Sequence, residues 1–118
     1  MNLYLDDDSA DALLVRLLMA EAHDVQVPAQ AKIAGGHDVT HFMYTIGVDR
    51  VLLTHNHDDF KRLHELVLLV EGHHPGMLIG DNNPTRDLQP RGIVRALRNL
   101  VASGVSIPDQ MHILNHWR

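Results

Sequence analysis

The segment RVLLT, residues Arg50 to Thr54, holds an apolar run with no alternation of polar and apolar positions. A strand of this kind is expected where helices cover both faces of a sheet, as they do in parallel sheets. Other short apolar runs recur along the chain, and segments with helical spacing separate them. The sequence therefore predicts a three-layer α/β/α domain with a mostly parallel sheet of about five strands.

The predicted elements follow from apolar spacing and from the residues that start and stop helices. The predicted strands are Asn2–Leu5, Asp24–Val27, Arg50–Thr54, GMLIG at 76–80 and MHILNHW at 111–117. The predicted helices are Ser9–Ala22, a second from Asp38 to Gly47, a third that carries Phe60 and stops near Gly72, and a fourth from Leu88 to Ala102.

Length and composition limit the class of protein. A chain of 118 residues fits one domain, and we expect residues 1–118 to form it. The net charge of -5 argues against a generally basic nucleic-acid binder, although a local basic strip can still meet phosphate. The absence of cysteine excludes disulfides and thiolate zinc sites. No apolar stretch approaches the ~20 residues of a membrane span, and the start lacks the features of a secretory signal, so we expect a cytoplasmic protein without a membrane partner.

Acidic and amide side chains follow three of the predicted strands. The carboxyl ends of parallel strands line a common crevice, so these side chains are expected to converge there. They are Asp6, Asp7 and Asp8 after the first strand, Asn56, Asp58 and Asp59 after the third, and Asp81 with Asn82 and Asn83 after the fourth. Gathered carboxylates repel one another unless a cation neutralises them, and oxygen ligands suit Mg²⁺ or Mn²⁺.

Helix capping is the competing explanation for several of these acids. Asp8, Asp38 and Asp59 each stand where a helix N-cap is expected, and a cap contributes about 1 kcal/mol without any catalysis. Asp6 differs, because it ends the first strand before the cap and has no evident local role.

The histidines offer a second kind of site. His55 and His57 lie two residues apart and would point the same way if the strand continued, with His64 further along the next helix. This arrangement suits a zinc-dependent hydrolase, but there is no HExxH motif or thiolate to support it. Structural or surface histidines remain the favoured interpretation.

The fourth predicted helix carries a basic stripe. Arg91, Arg95 and Arg98 stand at i, i+4 and i+7, so their guanidinium groups can align along one side. The stripe is a candidate contact for an RNA backbone. It is also what the solvated face of an ordinary surface helix looks like.

The sequence resembles the small bacterial PIN-like proteins, relatives of PIN-domain ribonucleases and of toxins from toxin-antitoxin pairs. The resemblance covers nearly the whole chain and rests on LYLDDD, the HDV strand, Asp38, RVLLTHNHDDFKRLH and HILNHW. It implies that Asp6, Asp38 and Asp59 hold a metal and that Asp58 or Asp7 orients water. The chain departs from the family pattern at Asn56, where the family often has aspartate.

The resemblance implies a Mg²⁺- or Mn²⁺-dependent ribonuclease. Asp6, Asp38, Asp58 and Asp59 would be its catalytic acids, with Asp7, Asn56 and Asp81 in support. RNA, an antitoxin protein and a second copy in a homodimer are the implied partners. The alternative is a degenerate PIN-like module that binds a partner protein, with the acids acting as caps, and Asn56 supports it.

Overall fold

Five parallel strands form one sheet in the order β2-β1-β3-β4-β5 in the computed structural model, which describes residues 1–80 and 88–118. The predicted α/β class with a parallel sheet is confirmed. The strands are β1 (Asn2–Leu5), β2 (Asp24–Gln26), β3 (Val51–Thr54), β4 (Met77–Ile79) and β5 (Met111–Ile113).

Within the described residues, five helices connect and flank these strands. They are α1 (Ala12–Ala20), α2 (Pro28–Ala31), α3 (Asp38–Val48), α4 (His57–Leu69) and α5 (Pro90–Ser103). Short 3₁₀ turns follow β1 at Asp7–Ser9 and β5 at Leu114–Trp117. None of these helices combines the length and the apolarity that crossing a membrane would require.

Side chains alternate between the two faces of the sheet and build one apolar core on each. Leu3 and Leu5 of β1 belong to the core that contains the buried residues of α1 and α5. Tyr4, between them, belongs to the core that contains Phe42 of α3 and Phe60 of α4. The sheet is therefore the middle of three layers, and strands covered on both faces explain the run without alternation in β3.

At three helix starts, the N-cap is a different residue from the aspartate that the sequence predicted. Asp8 does not cap α1: it lies in the 3₁₀ turn, and Asp11 is the N-cap, its side chain accepting from the Leu13 N–H. His37 and Asn56 occupy the N-cap positions of α3 and α4, so Asp38 and Asp59 lie one to three residues inside those helices. The capping explanation is therefore wrong for all three predicted acids.

The structure also differs from the prediction after two of the predicted strands. Pro28 starts the short helix α2 rather than a loop, since its fixed φ suits a first helical position. The predicted fifth strand is extended only over β5 and then coils into a 3₁₀ turn. Both changes lie away from the carboxyl ends of β1 and β3.

Candidate functional site

The carboxyl ends of β1 and β3 mark the place where the strand order reverses. From β1 the chain moves outward to β2, and it then returns to the opposite side of β1 as β3. Connections leaving neighbouring strands on opposite sides of a sheet open a crevice at this position. Asp6 directly follows β1, and Asn56 stands just beyond the end of β3.

Asp6 is a buried carboxylate at this crevice. Only 3% of the residue is exposed, and the Thr54 hydroxyl donates to Oδ2 over 2.8 Å. Its other oxygen, Oδ1, is buried and has no hydrogen-bond partner among the described residues. A buried carboxylate oxygen without a donor is costly, so this atom calls for an explanation.

The pKa of Asp6 also indicates that its carboxylate lacks a full set of partners among the described residues. Burial raises the pKa of the carboxyl above its ordinary value, and the Asp8 carboxylate raises it further. The nearby Ser9 hydroxyl lowers the pKa, although it does not reach hydrogen-bonding geometry with Oδ1. The Thr54 hydroxyl and the ring of His41 lower it too. Burial is the largest of these effects, so the ionised form of Asp6 is held at a cost that a nearby cation would relieve.

Asn56 joins two further acids. Its Nδ2 donates to Oδ2 of Asp38 and to Oδ2 of Asp59, each over 2.9 Å. Burial raises the pKa of Asp38, and the neighbouring carboxyl of Asp59 and the more distant Asp6 raise it too. The amide therefore occupies the space between two carboxylates that would otherwise repel each other, the position that a cation would also favour.

A buried hydrogen-bonded chain fixes Asp7 beside these acids. Oδ2 of Asp7 lies 3.1 Å from Nε2 of His41 and accepts from the Gly35 N–H over 2.8 Å. Nδ1 of His41 lies 2.7 Å from the hydroxyl of Tyr4. Burial and then the Asp7 carboxylate raise the pKa of Tyr4, so the phenol stays protonated. Asp7 is thus held at one oxygen.

An acidic cavity of about 410 Å³ lies among these groups. Three of the predicted site residues, Asp6, Asp7 and Asp38, line it together. Asp59 is connected to the cavity through the Asn56 bridge to Asp38. Asp8, His41 and the two glycines Gly35 and Gly36 complete the lining.

The remaining predicted site residues stand elsewhere. Asp58 is exposed on the first turn of α4 and does not line the cavity. Asp81 lies outside the described residues. Arg91, Arg95 and Arg98 lie on α5, in the layer on the other face of the sheet from α3 and α4, where they line a groove against α1.

The acids supply donors for a cation, but they do not form a closed set of ligands. Within residues 1–80 and 88–118, no group of three or more histidine, aspartate or glutamate side chains is arranged so that it could hold a metal ion. The orphaned Oδ1 of Asp6 and the all-oxygen donors nevertheless suit a hard divalent cation. Binding one would require the Asn56 amide to release Asp38 or Asp59.

The histidines do not form the zinc arrangement of the second hypothesis. The chain turns into α4 at His57, while Nδ1 of His55 lies 2.9 Å from the Gly80 carbonyl. His64 contacts neither of them and instead pairs with His74, Nδ1 to Nε2, over 2.7 Å. The pairing of His55 and His57 predicted from strand geometry is therefore wrong, because the strand ends at Thr54.

The His64–His74 pair is locked in its neutral form. The Gly76 N–H donates to Nδ1 of His74, so that ring carries its proton on Nε2 and donates to Nδ1 of His64. Burial lowers the pKa of both rings, and the proximity of His64 lowers that of His74 further. An added proton on Nδ1 of His64 would face the Nε2–H of His74, and one on Nδ1 of His74 would face the Gly76 N–H, so each would set donor against donor.

Because the His64–His74 hydrogen bond requires both rings to be neutral, we expect acidic pH to destabilise the folded protein. Because the folded pKa values lie below the ordinary 6.5, the unfolded chain takes up protons first, so stability is full above pH 6.5 and falls as the pH drops below it. We expect the free energy of unfolding to be lower at pH 5.5 than at pH 7.5, because protons bind more readily to the unfolded chain. Urea denaturation at both pH values measures this, with His64→Gln as the control that lacks one titrating ring. A loss of equal size in His64→Gln would contradict the assignment.

Sequence reasoning missed Tyr4, His41 and Thr54. Helical spacing carried a signal for His41, which stands three residues after Asp38 on α3 and therefore on the same side of that helix. Thr54 ends β3 as Leu5 ends β1, so the parallel pairing of these strands sets Thr54 beside Asp6. Tyr4 gave no signal beyond an apolar strand position.

Comparison of the chain with protein-family models, with curated proteins and with solved structures found no match.

Proposed function

We propose that the protein is a Mg²⁺- or Mn²⁺-dependent ribonuclease of PIN-like type that acts at the acidic cavity. The observation that carries the proposal is Asp6, a carboxylate 3% exposed whose Oδ1 has no donor within residues 1–80 and 88–118. A structural carboxylate at the end of a strand would be expected to have both oxygens satisfied. A cation supplies the missing partner.

Asp6, Asp38 and Asp59 are the residues that would hold the cation. All three provide carboxylate oxygens, the ligands that Mg²⁺ and Mn²⁺ prefer. When bound, such a cation stabilises the negative charge that develops on a phosphodiester during hydrolysis. The raised pKa of Asp38, caused by burial and then by Asp59, is the expected signature of acids gathered for this purpose.

Asp7 is the residue we assign to the attacking water. Gly35 and His41 engage its Oδ2, which leaves Oδ1 to accept a proton from water in the cavity. His41 is 2% exposed and bonded at both ring nitrogens, so it fixes the angle of the carboxylate. Asp58, the other candidate from the sequence, is exposed and outside the cavity, as Asp59 is, but the Asn56 bridge to Asp38 engages Asp59 and not Asp58, so we do not retain Asp58.

RNA as the substrate rests on the resemblance of the sequence to PIN-like proteins, together with the phosphate chemistry of a divalent cation. The same resemblance supports a role as the toxin of a toxin-antitoxin pair, with an antitoxin protein as partner, and a homodimer. The acidic cavity alone supports the reaction type and not the cellular role.

A second function, a degenerate PIN-like module that binds a partner protein, is favoured by Asn56. The amide already neutralises the repulsion between Asp38 and Asp59, so these acids are stable together without a cation. In that case the cavity would be a remnant of an ancestral metal site.

RNA cleavage under controlled metal supply tests the proposal. The purified protein is freed of metal with a chelator and then assayed on a labelled single-stranded RNA with added Mn²⁺, Mg²⁺ or Ca²⁺. We expect cleavage with Mn²⁺ or Mg²⁺ and little with Ca²⁺, whose larger radius suits a different ligand number.

Asn56→Asp separates the two functions. In a metal site the new carboxylate adds a ligand, so the variant should bind Mn²⁺ about 10-fold more tightly by calorimetry and cleave RNA at lower Mn²⁺. In a degenerate module, the new carboxylate would repel the neighbouring acids and would not strengthen Mn²⁺ binding. Absence of metal-dependent cleavage in both proteins, with no Mn²⁺ binding, would reject the nuclease.

A further inference from the structure

A groove lies between α1 and α5 and is separate from the acidic cavity. It has a volume of about 290 Å³, and its walls come from the last turns of α1 and from the exposed side of α5. It continues into a smaller cavity of about 150 Å³ that includes His23 and Val101. Glu21, Val94 and Arg98 line both cavities, so the two form one continuous surface, here called the arginine groove.

The rim of the arginine groove is positively charged. Arg91, Arg95 and Arg98 are all exposed along it. Arg98 pairs with Glu21 across the groove, whereas Arg91 and Arg95 make no ion pair with any of the described residues. On a chain of net charge -5, this rim is an area of opposite sign to the protein as a whole.

The floor of the groove is apolar. Leu17 and Val94 form it near Arg95, and Val101, which is 49% exposed, extends it toward the end of α5. From Arg91 to Val101, α5 rises about 15 Å, or roughly three helical turns. A ligand that fills the groove must therefore present apolar groups to its floor and negative charge to its rim.

We propose that the arginine groove binds an acidic amphipathic segment of a partner protein. A helix with carboxylates along one edge and leucine-like side chains on its inner face matches this surface in length, charge and polarity. Arg91 and Arg95 would pair with its carboxylates, and Leu17, Val94 and Val101 would receive its apolar side chains.

The groove fits an RNA strand less well. Phosphate and ribose gain little from the aliphatic floor at Leu17 and Val101, and no phenylalanine, tyrosine or tryptophan is among the lining residues for a base to stack on. Arg98 pairs with Glu21, which follows the end of α1 shortly before β2, at the amino edge of the sheet. Asp6 lies at the carboxyl edge, toward which the first turn of α5 lies, so a strand bound along the groove would run from that edge toward the amino edge on the other face of the sheet from α3 and α4.

This inference does not depend on nuclease activity, because the groove and the acidic cavity share no residue. A protein without catalysis could still bind a partner here, and a ribonuclease could lack one.

Fluorescence anisotropy with the full chain tests the groove. The probe is a labelled peptide of about 14 residues, long enough for the groove, with glutamate and leucine placed on opposite sides of a helix. We expect it to bind and Arg91→Glu with Arg95→Glu to weaken binding at least 10-fold, as expected for reversal of two rim charges. Lys61→Glu with Arg62→Glu on α4 makes the same change of charge on the other face of the sheet and should weaken binding less than 2-fold.

Two further measurements separate electrostatic attraction from docking. Val101→Ser should weaken binding about 3-fold or more, since it removes an apolar contact without altering charge. A peptide of identical composition with its leucines dispersed around the helix should bind less tightly than the probe. Failure of the probe to bind, equal losses in the two double variants, or tighter binding of a single-stranded RNA that the probe displaces would each overturn the proposal.

Discussion

Asp6→Asn is expected to reduce metal-dependent RNA cleavage by at least about 100-fold while the protein stays folded. The change removes a buried carboxylate that is short of a hydrogen-bond donor in the part of the chain that the structure describes. Asparagine is nearly isosteric and its carbonyl can still accept from the Thr54 hydroxyl, so the packing around the end of β1 is retained.

The same substitution should leave stability unchanged or raise it by about 1 kcal/mol at pH 7. Burial raises the folded pKa of Asp6, so its ionised form opposes folding, and this cost grows as the pH rises above the ordinary value of 3.8. A neutral amide does not carry that cost. Loss of activity with gain of stability is the behaviour of a functional carboxylate.

Asp11→Asn is the matched control for Asp6→Asn. It makes the same change of charge at a residue whose role is to cap α1, and asparagine caps as well as aspartate. We expect its RNA cleavage and its unfolding curve to match those of the original protein. If Asp6→Asn cleaves RNA as fast as Asp11→Asn, Asp6 does not hold a cation that matters to the reaction.

His74→Ala is expected to lower the free energy of unfolding by about 3 kcal/mol, a shift of roughly 10 °C in Tm. His74 is 3% exposed, and its ring packs edge-on against Phe42 with centroids 5.4 Å apart. The variant leaves a cavity in that core and strands the Gly76 N–H and the inner nitrogen of His64 without partners.

His73→Ala is the control for His74→Ala. The His73 side chain is 82% exposed, and among the described residues it bonds only to Asp109, at the surface. Its loss should lower the free energy of unfolding by less than about 1 kcal/mol. Thermal denaturation of both variants at pH 7.5 measures the difference, and equal shifts in Tm would show that the His64–His74 pair is not a structural element.

The sequence predicted the α/β class and the parallel strands, though not their order, because these depend on local patterns. The apolar run of β3, the charged start after β1 and the helical spacing of α5 are each visible within about 15 residues. Several predicted helix starts were wrong, and for α1 the reason is that Asp8 and Asp11 are equally good caps by residue type. The choice between them depends on how the chain leaves β1, and a 3₁₀ turn there delays α1.

Asp6 was singled out from the sequence for having no local role, and the structure places it at the reversal of strand order. The partner of its Oδ2 is Thr54, far along the chain, brought near by the pairing of β1 with β3. The links of Asn56 to Asp38 and of His41 to Asp7 likewise join residues from separate elements. Residue type alone predicted that the acids would lie close together, but it did not predict which side chains would form hydrogen bonds with them.

For this protein, the sequence by itself determined the α/β class, the parallel strands and the edge of the sheet where acids collect. These depend on hydrophobic periodicity and on the direction of the strands, which are properties of short segments. The tertiary structure alone decided that Asp6 keeps one oxygen unpaired among the described residues, that an amide separates Asp38 from Asp59, and that the arginines line a groove in the other layer. Burial and hydrogen bonding between distant segments exist only once the layers have packed.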